Sequence, residues 1–410
     1  MSSNTVNIMP FEVNNEVQAR SLMESLGVSS QGIKIMAPKS IYSVFRIEGI
    51  KSWEANIIKQ HLLSLGADAA IERSALVKDI ETGVLVFGSR DQLKRLCQKL
   101  KNQPFKLKQV SEGLLSCLDN LDKKVYNLTC RDKSLFIRKP VICGIVNITE
   151  DSFSRDGLLN ISNRSQSKLN QAVYAKASEM IKYGAQIIDI GGESSRPFSR
   201  PLPVKEEMRR VIPAVKFLRK KYKKTIISVD TYKYPIARAA ADAGADMIND
   251  ITALRHSPKI AQIIKSYNLG CVLMHMKGTP STMQISPKYN DLMSELSDFF
   301  KQRLQYCRQQ SIALEQICLD PGIGFGKKSE DNYAIINHLY KLKAFGLPIF
   351  IGISRKSFIG NLLKLEVNER LVPTIAATVI SLTRGANILR VHDVKETAQA
   401  VKVAQAIKLN

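Results

Sequence analysis

The sequence predicts an α/β protein whose larger part is a (β/α)8 barrel of the TIM type, preceded by a small α+β module. Three observations lead there. Beyond residue 136, short β-branched apolar runs alternate with helix-spaced segments eight times. Nearly every run ends in a polar side chain. The first 135 residues follow a different order, in which strand and helix do not simply alternate.

The small module comes first. YSVFRIEG (42–49) reads as a strand, 52–66 as a helix, AAIERSALV (69–77) and TGVLVFGS (82–89) as a strand pair, and 90–102 as a second helix. This β-α-β-β-α order is compatible with a ferredoxin-like module. Residues 103–139 hold a weak helical patch around 111–121 and a polar stretch that reads as linker, so two domains are expected, 1–135 and 136–410.

The barrel strands are PVICGIVN (140–147), QIIDIGG (186–192), TIISVD (225–230), ADMIND (245–250), GCVLMH (270–275), QICLD (316–320), LPIFIGI (347–353) and ANILRVHD (386–393). Helical apolar spacing fills 169–183, 205–222, 236–243, 260–267, 292–309, 333–345, 371–384 and 394–407. The same units could build an open doubly wound sheet. The strand tips favour closure: Asn147, Asp230, Asn249, His275, Asp320, the Ser354-Arg355-Lys356 run and His392, with Glu193 just past the second strand, converge only in a barrel.

Composition narrows the function classes. The chain has 410 residues, 44% apolar and 24% charged, which is ordinary for a globular protein. No apolar run reaches the roughly 18 to 20 residues a bilayer span needs, so no membrane association is expected. Seven scattered cysteines without a C-x-x-C read as reduced and buried, and a cytoplasmic location is expected. The net charge of +23 lies mostly beyond residue 135, since 1–135 carries 19 basic and 14 acidic side chains. Its densest run, RKKYKK (219–224), reads as a solvated helix face. Nucleic acid is not the expected partner; a small anionic substrate accounts for the excess.

CLDPGIGFGK (318–327) ends like a nucleotide P-loop, but Pro321 and Lys328 stand where that motif needs glycine and Ser or Thr. Asp320 then carries the interest, and the glycines let the backbone turn over a pocket. Asp230, Asn249, Asp320 and Lys356 suit a flat heterocycle, because carboxylates accept paired hydrogen bonds from guanidine-like edges. Asn147, Arg390 and His392 suit a phosphate group with a magnesium ion. Glu193 and His275 read as satisfied rim or core groups, Met274 and Met276 as packing, Phe325 as pocket wall and Lys327 as a rim charge.

GIVNITEDSF (144–153), IDIGGESSRP (188–197), SVDTYK (228–233), INDI (248–251), LMHMKGTPSTMQ (273–284), LDPGIGFGK (319–327), GISRKSFIG (352–360) and RVHDV (390–394) together resemble the dihydropteroate synthase family. Eight motifs in order make the resemblance specific, and it spans about 140 to the C-terminus. It implies a (β/α)8 transferase that joins 6-hydroxymethyl-7,8-dihydropterin diphosphate to 4-aminobenzoate with Mg²⁺, releasing diphosphate, and that sulfonamides target. It assigns Asp230, Asn249, Asp320 and Lys356 to the pterin, Asn147, Arg390 and His392 to diphosphate, and Asn147 to the metal. Phe153, Ser195, Arg196, Pro197 and Ser357 fall to the 4-aminobenzoate pocket, and Arg390, His392, Lys356 and Asp320 to catalysis. A homodimer is expected.

Three departures fall in the two loops around the second substrate. Glu150 replaces a usual proline, Arg155 stands where an aspartate is usual with Asp156 beside it, and Phe198 replaces a glycine. Asp151 is in its expected place. Two other readings stay open: a pterin-binding methyltransferase barrel, which gives no reason for SRKSFIG and RVHDV to occur together, and a catalytically silent pterin-binding scaffold, which the loop departures favour. For the N-terminal module, docking or oligomerisation is favoured over catalysis, with a substrate-shielding lid as an alternative.

Overall fold

A computed structural model describes residues 6–149, 158, 165–194 and 201–407. The chain divides into two compact units, Met1–Lys123 and Lys124–Asn410. The second begins before the expected boundary at 135, because the stretch read as linker folds against the barrel.

In the first unit, helices α1 (Glu16–Ser25) and α2 (Ser30–Met36) precede strand β1 (Tyr42–Lys51), helix α3 (Ser52–Leu63), strands β2 (Asp68–Ile71) and β3 (Glu81–Ser89), and helices α4 (Arg90–Leu100) and α5 (Leu107–Asp122). The antiparallel sheet runs β1-β3-β2. This is the ferredoxin-like order up to its last strand, and α5 follows where that strand would come in the chain. The strand expected over 69–77 stops at Ile71, and Arg73–Leu76 form a 3-10 turn instead. Ser89 and Gln92 form a reciprocal cap that starts α4 directly from β3. Leu93, Leu96 and Leu100 then bury against Ile58, Leu62 and Val86.

The second unit opens with a hairpin, β4 (Tyr126–Cys130) and β5 (Lys133–Ile137). Eight parallel strands follow: β6 (Val141–Asn147), β7 (Ala185–Gly191), β8 (Ile226–Asp230), β9 (Met247–Asp250), β10 (Gly270–Met274), β11 (Ile317–Asp320), β12 (Phe350–Ile351) and β13 (Ile388–Val391). Their order, β11-β10-β9-β8-β7-β6-β13-β12, is that of a barrel. A bridge between Leu319 and Ile349 completes the ring between β11 and β12. Helices α6 (Gln166–Lys182), α7 (Val204–Lys221), α8 (Tyr234–Asp242), α9 (Ile260–Ser266), α10 (Leu292–Gln309), α11 (Ser329–Asn337), α12 (Ser357–Leu363), α13 (Leu371–Thr383) and α14 (Val394–Ala406) surround it. Helices cover the outer face and side chains fill the inner one, so strands such as VICGIV are buried on both sides.

Beneath the barrel, Tyr126, Leu128 and Ile137 of the hairpin pack on Cys143, Ile187, Met247, Val272 and Phe350 at the strand starts. Asp246 clamps this floor: it accepts from Lys133 Nζ at 2.6 Å, from the Ile227 amide at 2.8 Å and from Arg219. With the lower end sealed, a small molecule enters only at the strand C-termini.

Candidate active site

Strand β7 carries two polar side chains, Gln186 near its start and Asp189, whose inward position leaves the carboxylate fully buried. Arg390 of β13 reaches across β6 to it. The guanidinium donates from Nε to Asp189 Oδ2 at 2.6 Å and from Nη2 to Asp230 Oδ2 at 2.7 Å. Asn249 Nδ2 also donates to Asp189 Oδ2, at 3.0 Å. Four side chains from β7, β8, β9 and β13 thus form one network, in which Asp189 Oδ1 has no partner among the described residues. Burial, opposed by Arg390 and reinforced by Asp189, pushes Asp230 up to about 7. Burial works against the charge on Arg390, but Asp189 and Asp230 outweigh it and hold the guanidinium protonated.

The opposite wall comes from β11 and the loop that follows. Asp320 Oδ1 accepts from the Gly322 amide at 2.7 Å, which fixes the carboxylate at the strand tip. Gly322, Gly324 and Gly326 all have positive φ, and a Cβ on Gly322 would meet the His275 carbonyl oxygen at 1.9 Å. Only glycine permits so close a turn. Lys356 donates to the Ile323 carbonyl, and its ammonium stands 4.7 Å from the centre of the Phe325 ring. Burial raises the Asp320 carboxyl against the pull of Lys356, while Lys356 itself is lowered by burial to about 8 against the pull of Asp320.

The sequence-predicted groups therefore fall into place unequally. Asp230, Asn249 and Arg390 share one network, and Asp320, Lys356 and Phe325 share the facing wall. His392 stands beside them on β13's exit, its Nδ1 2.9 Å from Ser354 Oγ. Asn147 ends β6 next to Gly191, and Ser357 opens α12 at the exposed rim. Phe153, Ser195, Arg196 and Pro197 lie outside the described residues, as do Glu150, Asp151, Arg155, Asp156 and Phe198.

Glu193 is a satisfied rim group, accepting from Tyr232 Oη at 2.8 Å, from the Leu202 amide and from Lys233. Lys327 corrects the expectation of a rim charge. It is 2% exposed and lies under the loop against His275. Asp189 was passed over because it sits before the strand tip; a lone carboxylate inside IIDIG is the signal that marks it. Ser354, which orients His392, carries no sequence signal of its own. Met274, Met276, Tyr232 and Phe325 form an apolar cluster at the mouth, and of these Tyr232 and Met276 line, with Glu193, Arg255 and Thr279, a cavity of about 390 Å³ that Asp230, Asp320, Lys356 and Arg390 do not line. That volume suits a small ligand.

A sealed barrel whose mouth pairs carboxylates with an arginine on one wall and a carboxylate with a lysine on the other defines a (β/α)8 enzyme for an anionic heterocycle. Residues 143–392 match the model of a family described as pterin binding enzyme. The dihydropteroate synthase of Escherichia coli is 43% identical over 279 residues, covering 68% of this chain and 95% of that protein. The Synechocystis dihydropteroate synthase is 41% identical over 271 residues, 66% and 91% of the two chains. Among solved structures, the Yersinia pestis synthase with a sulfonamide drug complex superposes with a TM-score of 0.65 at 40% identity, covering 69% of this chain and all of that one. The Burkholderia cenocepacia synthase complexed with 7,8-dihydropteroate gives 0.61 at 36%, covering 70% and 98%. The chain belongs to the dihydropteroate synthase family of pterin-binding enzymes.

Proposed function

We infer that the protein joins 6-hydroxymethyl-7,8-dihydropterin diphosphate to 4-aminobenzoate, yielding 7,8-dihydropteroate and diphosphate in folate biosynthesis. The observation that carries this reading is a pair of facing, unfinished polar networks at one barrel mouth. Asp230, Asn249 and Asp320 offer acceptors to the N–H edge of a pterin, and Lys356 offers a donor to its carbonyl side. Arg390 and His392 face the diphosphate, and Ser357 with Phe153, Ser195, Arg196 and Pro197 takes the aminobenzoate.

In this reaction the C–O bond to diphosphate breaks and its electron pair leaves with the diphosphate. The electron-rich dihydropterin then carries the methylene cation until the neutral arylamine nitrogen attacks and gives its proton to water. Charge on the leaving group is the main demand, and Arg390, held protonated by Asp189 and Asp230, meets it. His392, oriented by Ser354, adds a second donor.

Mg²⁺ fits the donor set. Among the described residues no group of three His, Cys, Asp or Glu could hold a metal alone, but Asn147 supplies a neutral oxygen and Asp189 Oδ1 is buried without a partner. Mg²⁺ keeps few protein ligands and takes phosphate oxygens and waters. Bound there through Asn147, it would offset charge on the leaving diphosphate.

The assembly we propose is a homodimer. Helix α13 turns Thr374, Thr378 and Ser381 inward and leaves Val372 and Ile380 exposed, the reverse of a solvent-facing helix. Seven free thiols agree with cytoplasmic residence, and among the described residues no helix is long and apolar enough to cross a membrane.

The test is diphosphate release from dihydropterin diphosphate and Mg²⁺, with and without 4-aminobenzoate. Release coupled to dihydropteroate formation supports the synthase; pterin binding without turnover supports the silent scaffold and directs attention to Glu150 and Arg155.

A further inference from the structure

Lys327 is buried without a salt bridge among the described residues. Its ammonium lies 2.9 Å from His275 Nδ1, 3.1 Å from the Phe325 carbonyl oxygen and 3.4 Å from the His275 carbonyl oxygen. Burial, reinforced by Lys327, lowers His275 to about 2, so the ring is neutral. A neutral ring that accepts at Nδ1 carries its proton on Nε2. Three acceptors therefore converge on one ammonium, from both the strand β10 exit and the loop above it.

Every carbonyl from Ile323 to Gly326 is held by a different side chain. Lys356 takes Ile323, Gln284 takes Gly324 at 2.8 Å, Lys327 takes Phe325, and Tyr289 takes Gly326 at 2.7 Å. From below the loop presses on backbone, since a Cβ on Gly326 would meet the Lys277 carbonyl oxygen at 2.4 Å. The Phe325 carbonyl is drawn down into the barrel by Lys327, which leaves its ring at the mouth, where Lys356 stands over it.

We propose that Lys327 is a positioning residue of the pterin site: by tying the Phe325 carbonyl to His275 it sets the Phe325 ring and the Lys356 ammonium that face the pterin. The inference rests on the synthase reading above. It assigns a role to Lys327, the buried lysine that ends LDPGIGFGK.

The charge on Lys327 has its own consequence. The groups that face it are His275 just after β10, Asp320 of β11, Lys356 before α12 and Asp331 of α11. Burial lowers Lys327 to about 7, against the pull of Asp320, so below that pH it is charged. That charge, behind those of Lys356 and Arg390, helps restrain the rise of the Asp320 carboxyl. Removing it lets the Asp320 carboxyl rise further, so the carboxylate is lost at a higher pH.

The experiment compares wild-type protein with Lys327→Met and Lys327→Gln. It measures dihydropterin diphosphate affinity by calorimetry, both KM values and kcat, melting temperature, and the Asp320 carboxyl titration by ¹³C NMR. In Lys327→Met the pterin Kd and KM rise about tenfold or more, while the 4-aminobenzoate KM at saturating pterin stays within about twofold. The Asp320 titration moves up in both variants, and Lys327→Gln, which still donates to the Phe325 carbonyl, regains part of the affinity. A pterin Kd within about twofold of wild type in both variants overturns the proposal. So does a joint rise of both KM values with the Asp320 titration unmoved, the pattern of a merely structural residue. If Lys327→Met does not fold, Lys327→Gln decides by the same KM split and titration. Wild-type protein that binds no pterin would instead refute the synthase reading itself, and this proposal with it.

Discussion

At the floor of the barrel Asp246 is fully buried and accepts from Lys133, Arg219 and the Ile227 amide. At the mouth Asp189 is equally buried, yet one of its oxygens accepts twice and the other has no partner among the described residues. Both aspartates sit among cations in the same barrel, so burial alone does not separate structure from function. Both carboxylate oxygens of Asp246 have donors. The mouth stops short, holding Arg390, Asp230 and Asp320 in an arrangement that a ligand would finish. Satisfied networks stabilise; unsatisfied ones bind.

The comparison is broken most directly at the floor. Asp246→Ala removes the buried acid that Lys133 and Arg219 share, leaving Lys133 only the exposed Asp132, and a loss of about 3–5 kcal/mol in urea unfolding is expected. At equal folded concentration its pterin affinity should match wild type. A stable Asp246→Ala variant would remove the contrast.

At the mouth, Asp320→Asn keeps the shape and removes the charge. Diphosphate release should fall about 10²–10³-fold while the melting temperature stays near that of wild type. A variant that instead unfolds would make Asp320 a structural residue like Asp246.

The pH dependence sharpens the same point. Asp230 is raised to about 7 by burial, so between its unfolded value near 3.8 and about 7 the folded protein binds the proton more tightly. Stability from this group is therefore present at low pH and declines as pH rises through that window. On the proposed role of Asp230 as a pterin acceptor, affinity runs the other way: it should weaken about tenfold for each unit below about 7. Calorimetry across that range checks the slope, and Asp230→Asn should flatten it.

The smallest effect comes from a satisfied network on the rim. Tyr232→Phe removes one hydrogen bond to Glu193, which keeps Lys233 and the Leu202 amide. A cost of about 0.5–1.5 kcal/mol is expected, with diphosphate release unchanged. A large loss of activity would move Glu193 from support to function.

Much of this was legible in the chain itself. Continuous β-branched apolar runs and period-3.6 spacing marked the eight barrel strands and most helices, because each strand is buried on both faces and each helix on one. Residues that end strands, such as Asp230, Asn249 and Asp320, were legible as groups of one barrel mouth because parallel strands deliver their tips to one place. The hairpin at 126–137 was not, since its strands are short and polar on one side, and only the barrel floor gives its apolar side a partner. Helices α1 and α2 lacked a strong periodic signal as well.

Sequence by itself determined the eightfold alternation of strand and helix and the chemistry of the strand tips, because local hydrophobic periodicity and chain order carry both, and the polar tips pointed to closure into a barrel. Tertiary structure alone decided which charges meet. Asp189 and Arg390 lie 201 residues apart in the chain and bond only because β6 stands between their strands. Lys327 was a rim charge until the glycine loop folded it under Phe325. Pairing across a closed sheet depends on three-dimensional register, and no one-dimensional pattern carries that.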